Sequence, residues 1–358
     1  MQDELIRNTM LSIRPGSQEY EMAAKRHIDS LTKPVGSLGR LEEVAARYVA
    51  WMEQTSPVIS KKAVYVFAAD HGITEEGISA YPPDVTPQMV YNFLQGGAAI
   101  NVLARQAHAD VVIVDVGVDA DFAGASGLVN RKVRRGTRNF AREAAMTLEE
   151  VHAAMRVGIE LAAEAKQQGR TLIALGEMGI GNTTSASAIT AAFTGVPAAR
   201  VTGKGTGLDA ERCARKAQVI DHALKLHFPE RPAVISDAFE VLRRVGGLEV
   251  AAIAGMVLGA ASQRIAVVID GFICTAGAAV ACAMAPHAHA ALFAGHLSEE
   301  PGHRILLESL KLKPLLQLDM RLGEGTGAAL AFHLIEASVH IYNEMATFES
   351  AGVSKAAE

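Results

Sequence analysis

Cysteine is scarce in this chain of 358 residues. The three cysteines, Cys213, Cys274 and Cys282, form no CxxC pair, and their odd number does not suit a disulfide framework. Structural zinc sites need clustered cysteine or histidine ligands, which this spacing does not supply. The cysteine pattern therefore favours a protein of the reducing cytoplasm.

The chain also lacks a basic stripe and has only one tryptophan. Its formal net charge is -5, and the acidic and basic residues are interspersed along the sequence. Nucleic-acid binding usually leaves a patch of Lys and Arg, often with aromatic residues for base stacking. We therefore expect small-molecule substrates and no nucleic-acid partner.

Signals for export or membrane insertion are weak. The first ten residues, MQDELIRNTM, lack the basic cap and apolar run of a secretory signal. The segment from Gly271 to Ser298 has no charged residue and is long enough to span a bilayer, but Pro286 interrupts it. Its Gly- and Ala-rich composition is typical of a buried helix followed by a buried strand. We expect a soluble cytoplasmic protein without a membrane partner.

Short apolar runs alternate with longer helical patterns, which is typical of a parallel sheet covered by helices. One helix has a clear start, a capping box of Thr147 and Glu150. The predicted fold is α/β, a Rossmann-like, mostly parallel sheet of about six strands flanked by helices, within a large domain over 60–322. The predicted strands are Val64–Ala68, Val111–Val114, Thr171–Leu175, Ile265–Ile269, Ala290–Phe293 and Leu315–Leu318.

The two ends of the chain are helical in pattern and contain no strand. Two helical stretches precede the first strand, and in the second of them apolar residues recur at helical spacing from Leu41 to Met52. A further helix is predicted from about Thr326 to Met345. We expect these helices to pack as a small helical domain, built from residues 1–59 together with 323–358.

Polar residues follow the predicted strands. In open α/β sheets ligands bind beyond the carboxyl ends of the strands, although any single polar residue there can simply face solvent. Their recurrence after all six runs favours a ligand site at this edge. The residues concerned are Asp70, His71, Asp115, Glu177, Asp270, His296, Asp319 and Glu324.

The strongest local motif is GEMGIGNTTSAS, from Gly176 to Ser187. It follows an apolar run and opens a helix near Asn182 or Thr183. Such a loop presents main-chain N–H groups and the positive end of a helix dipole to an anion, so it would suit a phosphate. The pattern is neither GxGxxG nor GxxxxGK[ST], and it is equally compatible with an ordinary glycine-rich turn.

Two loops share a second pattern, GKGTG from Gly203 and GEGTG from Gly323. Glycines on each side of one charged residue allow a tight bend that delivers the side chain into a cleft. By itself this pattern leaves Lys204 as a solvated surface lysine and Glu324 as either a catalytic carboxylate or a partner of a helix N-terminus.

Other functional classes fit the residues less well. His287 and His289 could be metal ligands, but no carboxylate lies within their charge-free run, so buried, hydrogen-bonded histidines are expected instead. A dinucleotide-dependent oxidoreductase would require GxGxxG after the first strand, and the segment from Ala68 to Ile73 does not supply it.

Taken together, the motifs resemble those of the nicotinate-nucleotide–dimethylbenzimidazole phosphoribosyltransferase family, which builds the lower-ligand nucleotide of cobalamin. The resemblance covers nearly the whole chain. It runs through LTKPVGSLGRLE from Leu31, FAADHGI from Phe67, EGISAYPPDVTPQMVYNFLQGGAAIN from Glu76, GEMGIGNTTSASA from Gly176, GKGTGLD from Gly203, DGFICTAGA from Asp270, GHLSEEPGH from Gly295 and LDMRLGEGTGAALA from Leu318.

The resemblance implies a reaction in which a benzimidazole nitrogen attacks the anomeric carbon of nicotinate mononucleotide, releasing nicotinate. Positive charge builds on the attacking ring, so a base must remove its remaining N–H proton. The resemblance assigns this role to Glu324 and places Glu177 by the ribose or the departing base. It assigns the 5′-phosphate to Gly179, Ile180, Gly181, Asn182, Thr183, Thr184, Gly205 and Lys216.

The remaining implied roles concern the base pocket and the assembly. Ser79 and Gln88 match positions that face the benzimidazole, and Asp270 matches one that organises loops near the base. The family's substrates imply no cofactor and no metal, because the donor is a monophosphate that needs no magnesium bridge. A homodimer is also implied. A non-catalytic nucleotide- or benzimidazole-binding protein on the same scaffold is the alternative function.

Overall fold

The computed structural model describes residues 3–205, 207, 209–230 and 234–354. Thr206, in the GKGTG loop, lies outside the described residues, as do the first two and the last four positions of the predicted small helical domain.

The described residues contain eight strands, six of which form one parallel sheet. The strands are β1 (Lys62–Ala69), β2 (Asp110–Gly117), β3 (Leu128–Asn130), β4 (Leu172–Met178), β5 (Ala266–Ile269), β6 (Leu292–Ala294), β7 (His296–Leu297) and β8 (Leu316–Gln317).

The order of the large sheet is β3-β2-β1-β4-β5-β6, and every adjacent pair is parallel. This is the doubly wound order, in which the connections reverse direction between β1 and β4. All eight residues of β1 are buried, since helices cover both faces of the sheet. The predicted Rossmann-like α/β fold is confirmed.

Helices surround this sheet and account for the longer periodic segments. Two 3₁₀ helices, Gly72–Glu76 and Pro286–Ala291, accompany them. The α-helices of the described residues are α1 (Glu4–Ser12), α2 (Gln18–Ser30), α3 (Arg40–Met52), α4 (Val85–Leu94), α5 (Ala99–Gln106), α6 (Leu148–Gln167), α7 (Asn182–Thr194), α8 (Ala198–Val201), α9 (Ala210–His227), α10 (Ala238–Val245), α11 (Leu248–Ser262), α12 (Phe272–Met284), α13 (Pro301–Ser309), α14 (Thr326–Glu344) and α15 (Phe348–Ala351).

Two strand predictions are wrong in detail. The sixth strand of the large sheet is β3, a half-exposed edge strand of three residues that gives no apolar run in the sequence. The run Leu315–Leu318 instead supplies β8, which pairs with β7 in a separate two-stranded sheet. The predicted strand Ala290–Phe293 begins later, at Leu292, because the residues before it form a 3₁₀ helix.

Other local predictions are confirmed. Thr147 and Glu150 form the capping box that starts α6, with the Glu150 N–H 3.2 Å from Thr147 Oγ1 and the Thr147 N–H 2.7 Å from Glu150 Oε2. The charge-free segment consists of α12 followed by β6, both buried. In the described part of the chain no helix is both long and apolar enough to cross a membrane.

Helices from both ends of the chain pack together, although three rather than two precede β1. A small apolar cluster joins α2, α3 and α14 through residues that include Ile28, Val49 and Tyr342. The other face of α3 contributes Tyr48 and Trp51 to the main core, so α3 links the cluster to the sheet. The division into domains 60–322 and 1–59 with 323–358 stays a prediction.

Candidate active site

The glycine-rich motif lies at the point where the sheet order reverses, which is the usual ligand position in this topology. Its first residues end β4, and α7 begins at Asn182 behind Gly181, whose φ of 99° suits a residue without a side chain. Thr86 fixes the loop by accepting a hydrogen bond from the Ile180 N–H at 3.1 Å. The amino end of α7 therefore opens towards the carboxyl edge of the sheet.

A lysine completes a polar pocket at the start of α7. Lys216 is 1% exposed, and its ammonium donates to Thr183 Oγ1 at 2.7 Å. Burial lowers the pKa of Lys216 to about 8, against the raising influence of Glu300 and Cys213. Gly205 lies beside both groups, with a φ of 51°. This pocket combines a buried cation, a hydroxyl and a helix N-terminus, a combination suited to phosphate. It is called the phosphate pocket below, after its predicted ligand.

Glu177 lies at the end of β4, between the phosphate pocket and the GEGTG loop. Its carboxylate accepts a hydrogen bond from the Asn182 side chain, and its Oε1 lies against Gly323. Complete burial raises the pKa of Glu177 well above its usual range, and the nearby charges of Asp270, Glu249 and Glu324 raise it further. Glu177 therefore belongs to a buried acidic cluster with high proton affinity.

The GEGTG loop packs directly on the strand that carries the glycine-rich motif. A Cβ atom at Gly176 would overlap the main-chain carbonyl of Glu324, so only glycine allows this approach. Glu324 has a φ of 63°, which is uncommon for a residue with a side chain. The structure thus brings Glu324 and the phosphate pocket to the same edge of the sheet, as the predicted chemistry requires.

The Glu324 carboxylate is nearly buried and has one hydrogen-bond donor. Its Oε2 accepts from the Ile100 N–H at 3.2 Å, whereas its Oε1 accepts no hydrogen bond from the described residues. Burial raises the pKa of Glu324; the Ile100 hydrogen bond opposes this, and the charge of Asp270 adds to it. A carboxylate with raised pKa and one free oxygen is suited to accept a proton.

Asp270 holds the beginning of α14. Its Oδ2 accepts from the Gly325 N–H at 3.2 Å and its Oδ1 from the Ala328 N–H at 2.9 Å. Burial raises the pKa of Asp270, although the neighbouring His296 and these N–H groups oppose the shift. The position agrees with the expectation that Asp270 organises the loop carrying Glu324, a role that stays a prediction.

A cleft lies beside these groups; its lining reaches Gly323 of the GEGTG loop but does not include Glu324 or Asp270. The cleft shares Gly179, Ile180, Asn182, Thr183 and Gly205 with the phosphate pocket. Its remaining lining comes from the ends of β4, β5 and β8, from β7 and from the segment after β7. These residues are Glu177, Met178, Gly271, Phe272, Ile273, His296, Ser298, Glu300, Arg321, Leu322 and Gly323.

Neither of the residues predicted to face the benzimidazole lines the cleft. Ser79 lines the phosphate pocket, beside Gly181 and Lys216, rather than the side nearer Glu324. Gln88, in the first turn of α4, is exposed and lines neither the cleft nor the pocket. Lys204, to which no role was assigned, is exposed at the rim of the phosphate pocket. The assignments of Ser79 and Gln88 stay predictions.

Sequence patterns did not single out Glu300, Arg321 or the pairing of His71 with Glu249. Glu300 and Arg321 lie on the wall of the cleft; both fall within motifs of the resemblance, but no role was assigned to either. Beneath the glycine-rich loop, His71 Nε2 lies 2.7 Å from Glu249 Oε1, with both side chains fully buried. The carboxylate of Glu249 raises the pKa of His71, although burial alone would lower it.

Two other histidines, His303 and His289, form hydrogen bonds within the fold. His303 is neutral, since burial lowers its pKa to about 3; its Nδ1 accepts from the Ser298 N–H, which leaves Nε2 to donate to Thr275. His289 hydrogen-bonds to the Leu310 carbonyl, as expected, but His287 is exposed, so its predicted burial is wrong. Within the described ranges, no cluster of three or more His, Cys, Asp or Glu side chains could hold a metal ion.

Known proteins share both the sequence and the fold. The family profile described as phosphoribosyltransferase matches residues 13–353. A nicotinate-nucleotide–dimethylbenzimidazole phosphoribosyltransferase of Geobacter sulfurreducens is 55% identical over 351 residues, covering 98% of this chain and 99% of that protein. A protein of the same name from Chloroflexus aggregans is 51% identical over 354 residues, covering 99% of each.

Solved structures agree with these relatives. The crystal structure of CobT from Thermus thermophilus superposes with a TM-score of 0.90 at 49% identity, covering 94% of this chain and 100% of that one. This chain belongs to the nicotinate-nucleotide–dimethylbenzimidazole phosphoribosyltransferase family.

Proposed function

We propose that this chain transfers the 5-phosphoribosyl group of nicotinate mononucleotide to a ring nitrogen of 5,6-dimethylbenzimidazole or a related base. The products are α-ribazole 5′-phosphate, for the nucleotide loop of cobalamin, and nicotinate. The relatives that carry this activity in their names are more than 50% identical over nearly the full chain. The proposal also accounts for the two chemically different ends of the site.

The observation that carries the proposal is the packing of Glu324 against Gly176. It holds a carboxylate at the edge of the sheet where main-chain amides of the glycine-rich loop face an anion pocket. A phosphoribosyl transfer needs both features on one side of the molecule, since the sugar phosphate must be anchored while the attacking ring loses its proton.

The reaction requires little acid catalysis on the departing side. The nitrogen lone pair of benzimidazole forms the new bond to the anomeric carbon, and the electrons of the breaking bond return to the pyridine nitrogen. That nitrogen is cationic in the nucleotide and becomes neutral as nicotinate leaves. The attacking ring becomes cationic until the N–H proton on its other nitrogen is removed, and Glu324 Oε1 is the proposed acceptor.

The other residues act by binding and orientation. Lys216, Thr183 and the N–H groups at the start of α7 hold the 5′-phosphate. Glu177, at the junction of the two sites, faces the ribose or the developing positive charge on its anomeric carbon. Asp270 keeps the Glu324 loop in place through its two main-chain hydrogen bonds.

Replacing Glu324 with Gln tests the proposal. The amide keeps the size of the side chain but cannot take the proton, so turnover should fall on the order of 10²-fold or more while nucleotide binding stays nearly constant. Product formation is measured by chromatography and nucleotide binding by calorimetry. Glu308→Gln, an exposed change on α13, is the matched control and should behave like the unaltered protein.

Two results would contradict the proposal. Unchanged turnover in the Glu324→Gln variant would show that Glu324 is not the base. Binding of nucleotide and benzimidazole without any product, in the unaltered protein, would favour the alternative of a non-catalytic binding protein. No metal is needed in the proposed reaction, so turnover should persist after dialysis against EDTA.

The proposal includes a cytoplasmic homodimer, as in the family. Leu11, Met22 and Val35, which are 75%, 56% and 73% exposed, are candidate interface residues. Sedimentation equilibrium at micromolar concentration should give twice the chain mass of 37.8 kDa. A monomer at that concentration would contradict this part of the proposal.

A further inference from the structure

We propose that Arg321 is a positioning residue that couples the phosphate pocket to the loop of the catalytic carboxylate. The inference rests on the proposed function and concerns how the two substrates affect each other's binding. It comes from a contact between two loops that sequence motifs treat as separate, GKGTG and LDMRLGEGTG.

On the side of the phosphate pocket, Arg321 contacts the main chain of Gly205. Arg321 Nη1 donates a hydrogen bond to the Gly205 carbonyl at 3.0 Å. Gly205 is adjacent to Thr183 Oγ1 and Lys216 Nζ, the groups proposed to bind phosphate. A phosphate bound by those two groups would lie beside Gly205, whose carbonyl Arg321 holds.

Gly205 is also held from its other side. Its N–H group donates to the Glu300 carboxylate, and the charges of Lys216 and Arg321 stabilise the anionic form of that carboxylate, although burial raises the pKa of Glu300 overall. Gly205 is thus held at its carbonyl by Arg321 and at its N–H by Glu300, and both side chains line the cleft. Such a two-sided contact defines the position of Gly205 more strictly than one hydrogen bond could.

The second end of the coupling is the Glu324 loop. Arg321 precedes Glu324 by three residues, and Gly323 between them lies against the Glu177 carboxylate. The residues after Gly323 are fixed by Asp270, but the segment before it has no helix or strand and exposes Leu318 and Leu322 by 53% and 57%. Arg321 is the side chain that ties this exposed segment to the phosphate pocket.

A physical consequence follows from this arrangement. A ligand that fixes Gly205 also fixes Arg321, and it thereby reduces the conformational freedom of the loop that the incoming base must contact. The second ligand then loses less entropy on binding. Thermodynamic linkage requires the effect to be reciprocal, so the base should also tighten the binding of the sugar phosphate.

The test measures the affinity for 5,6-dimethylbenzimidazole by calorimetry, with and without saturating ribose 5-phosphate. Ribose 5-phosphate has no leaving base, so no reaction takes place. We expect ribose 5-phosphate to tighten base binding at least about fivefold in the unaltered protein, the low end of common coupling factors. In the Arg321→Met variant, ribose 5-phosphate should change the affinity for the base by less than about twofold.

Two further variants make the result specific. Arg321→Lys keeps one donor and should retain part of the coupling, which also covers the case in which the Met variant does not fold. Arg131→Met removes a half-exposed arginine that pairs with Glu160 and Glu164, away from the cleft, and it should leave the factor unchanged. A simple loss of stability would weaken the binding of both ligands and would leave the coupling factor unchanged.

The inference is overturned if the unaltered protein binds the two ligands independently, or if Arg321→Met keeps the full coupling factor. Failure of the proposed function would show differently, as missing turnover in the unaltered protein or full turnover in Glu324→Gln. The two hypotheses can therefore fail separately.

Discussion

The main-chain N–H of Ile100 donates a hydrogen bond to Glu324 Oε2 at 3.2 Å. Ile100 lies in the first turn of α5, so the carboxylate receives both a hydrogen bond and the positive end of a helix dipole. These favour the charged form, but burial has the larger effect and raises the pKa of Glu324. The hydrogen bond therefore orients the carboxylate, and burial keeps its pKa raised.

The first prediction concerns the acidic limb of the pH–rate profile. Glu324 must be deprotonated to act, and its pKa is raised, so kcat should begin to fall at a higher pH than an ordinary glutamate would give. Steady-state rates between pH 4.5 and 8 measure this limb. It should be absent from the residual activity of Glu324→Gln; a limb that persists there belongs to another group.

The second prediction concerns Lys216 and the basic side of the profile. Its pKa is lowered to about 8, so the cation is lost as the pH rises through that value, and the KM for nicotinate mononucleotide should rise. Lys216→Met should raise this KM about 10- to 100-fold, as expected for losing a charge-assisted hydrogen bond of about 1.5–3 kcal/mol. The Lys216→Met change should also remove the rise of this KM with pH.

The control for Lys216 lies on the same helix. Lys225 is exposed on α9, and Lys225→Met should leave both KM and its pH dependence unchanged. An equal effect of the two changes would indicate a general electrostatic influence rather than contact with the phosphate.

The third prediction separates stability from activity at Glu177. Its pKa is raised in the folded protein, so its contribution to stability is present below the pKa of the unfolded chain and is lost as the pH rises through the folded value. Glu177→Gln removes this buried charge but keeps an acceptor for Asn182. The Tm at pH 8 should rise by about 1–2 °C for a gain of ~1 kcal/mol.

Activity should change in the opposite direction. If Glu177 faces the ribose or its developing positive charge, the Gln variant should lose about tenfold or more in kcat while its Tm increases. The difference in Tm from the unaltered protein should shrink at pH 5, where the buried carboxyl is protonated. A variant less stable at pH 8 than the unaltered protein would contradict the role of the acidic cluster.

The fourth prediction concerns the close approach at Gly176. A methyl group there would overlap the Glu324 carbonyl, so Gly176→Ala should displace the base loop. Overpacking of this kind typically costs about 1–3 kcal/mol in the free energy of unfolding, and kcat should fall as well. Gly16→Ala, where the nearest atoms lie 3.8 Å or more from the added Cβ, is the matched control for denaturation and turnover.

Much of the fold could be predicted because its signals are local. Buried parallel strands such as β1 are covered on both faces and read as continuous apolar runs, and the Thr147 capping box lies within four residues. The edge strand β3 escaped prediction because it is short and half-exposed. Its pairing with β2 depends on where distant residues pack, and no periodicity records that.

The candidate site also contains residues that the sequence could reveal and residues that it could not. Glycine loops are visible in a sequence because positive φ and close approach restrict the residue type, so Gly181 and Gly176 could be found. Arg321, Glu300 and the His71–Glu249 pair could not, since their importance depends on contacts between segments far apart in the chain. Arg321 and Gly205, for example, are 116 residues apart.

The proposed proton acceptor comes late in the chain, and this affects how the protein is made. Ile100 and Glu324 are separated by 224 residues, and Asp270 can hold the start of the final long helix only once Ala328, 58 residues later, has been added. A ribosome therefore synthesises every residue of the phosphate pocket before it reaches the proposed base. If Glu324 is that base, a chain cut short before it could hold the nucleotide pocket but could not complete the reaction.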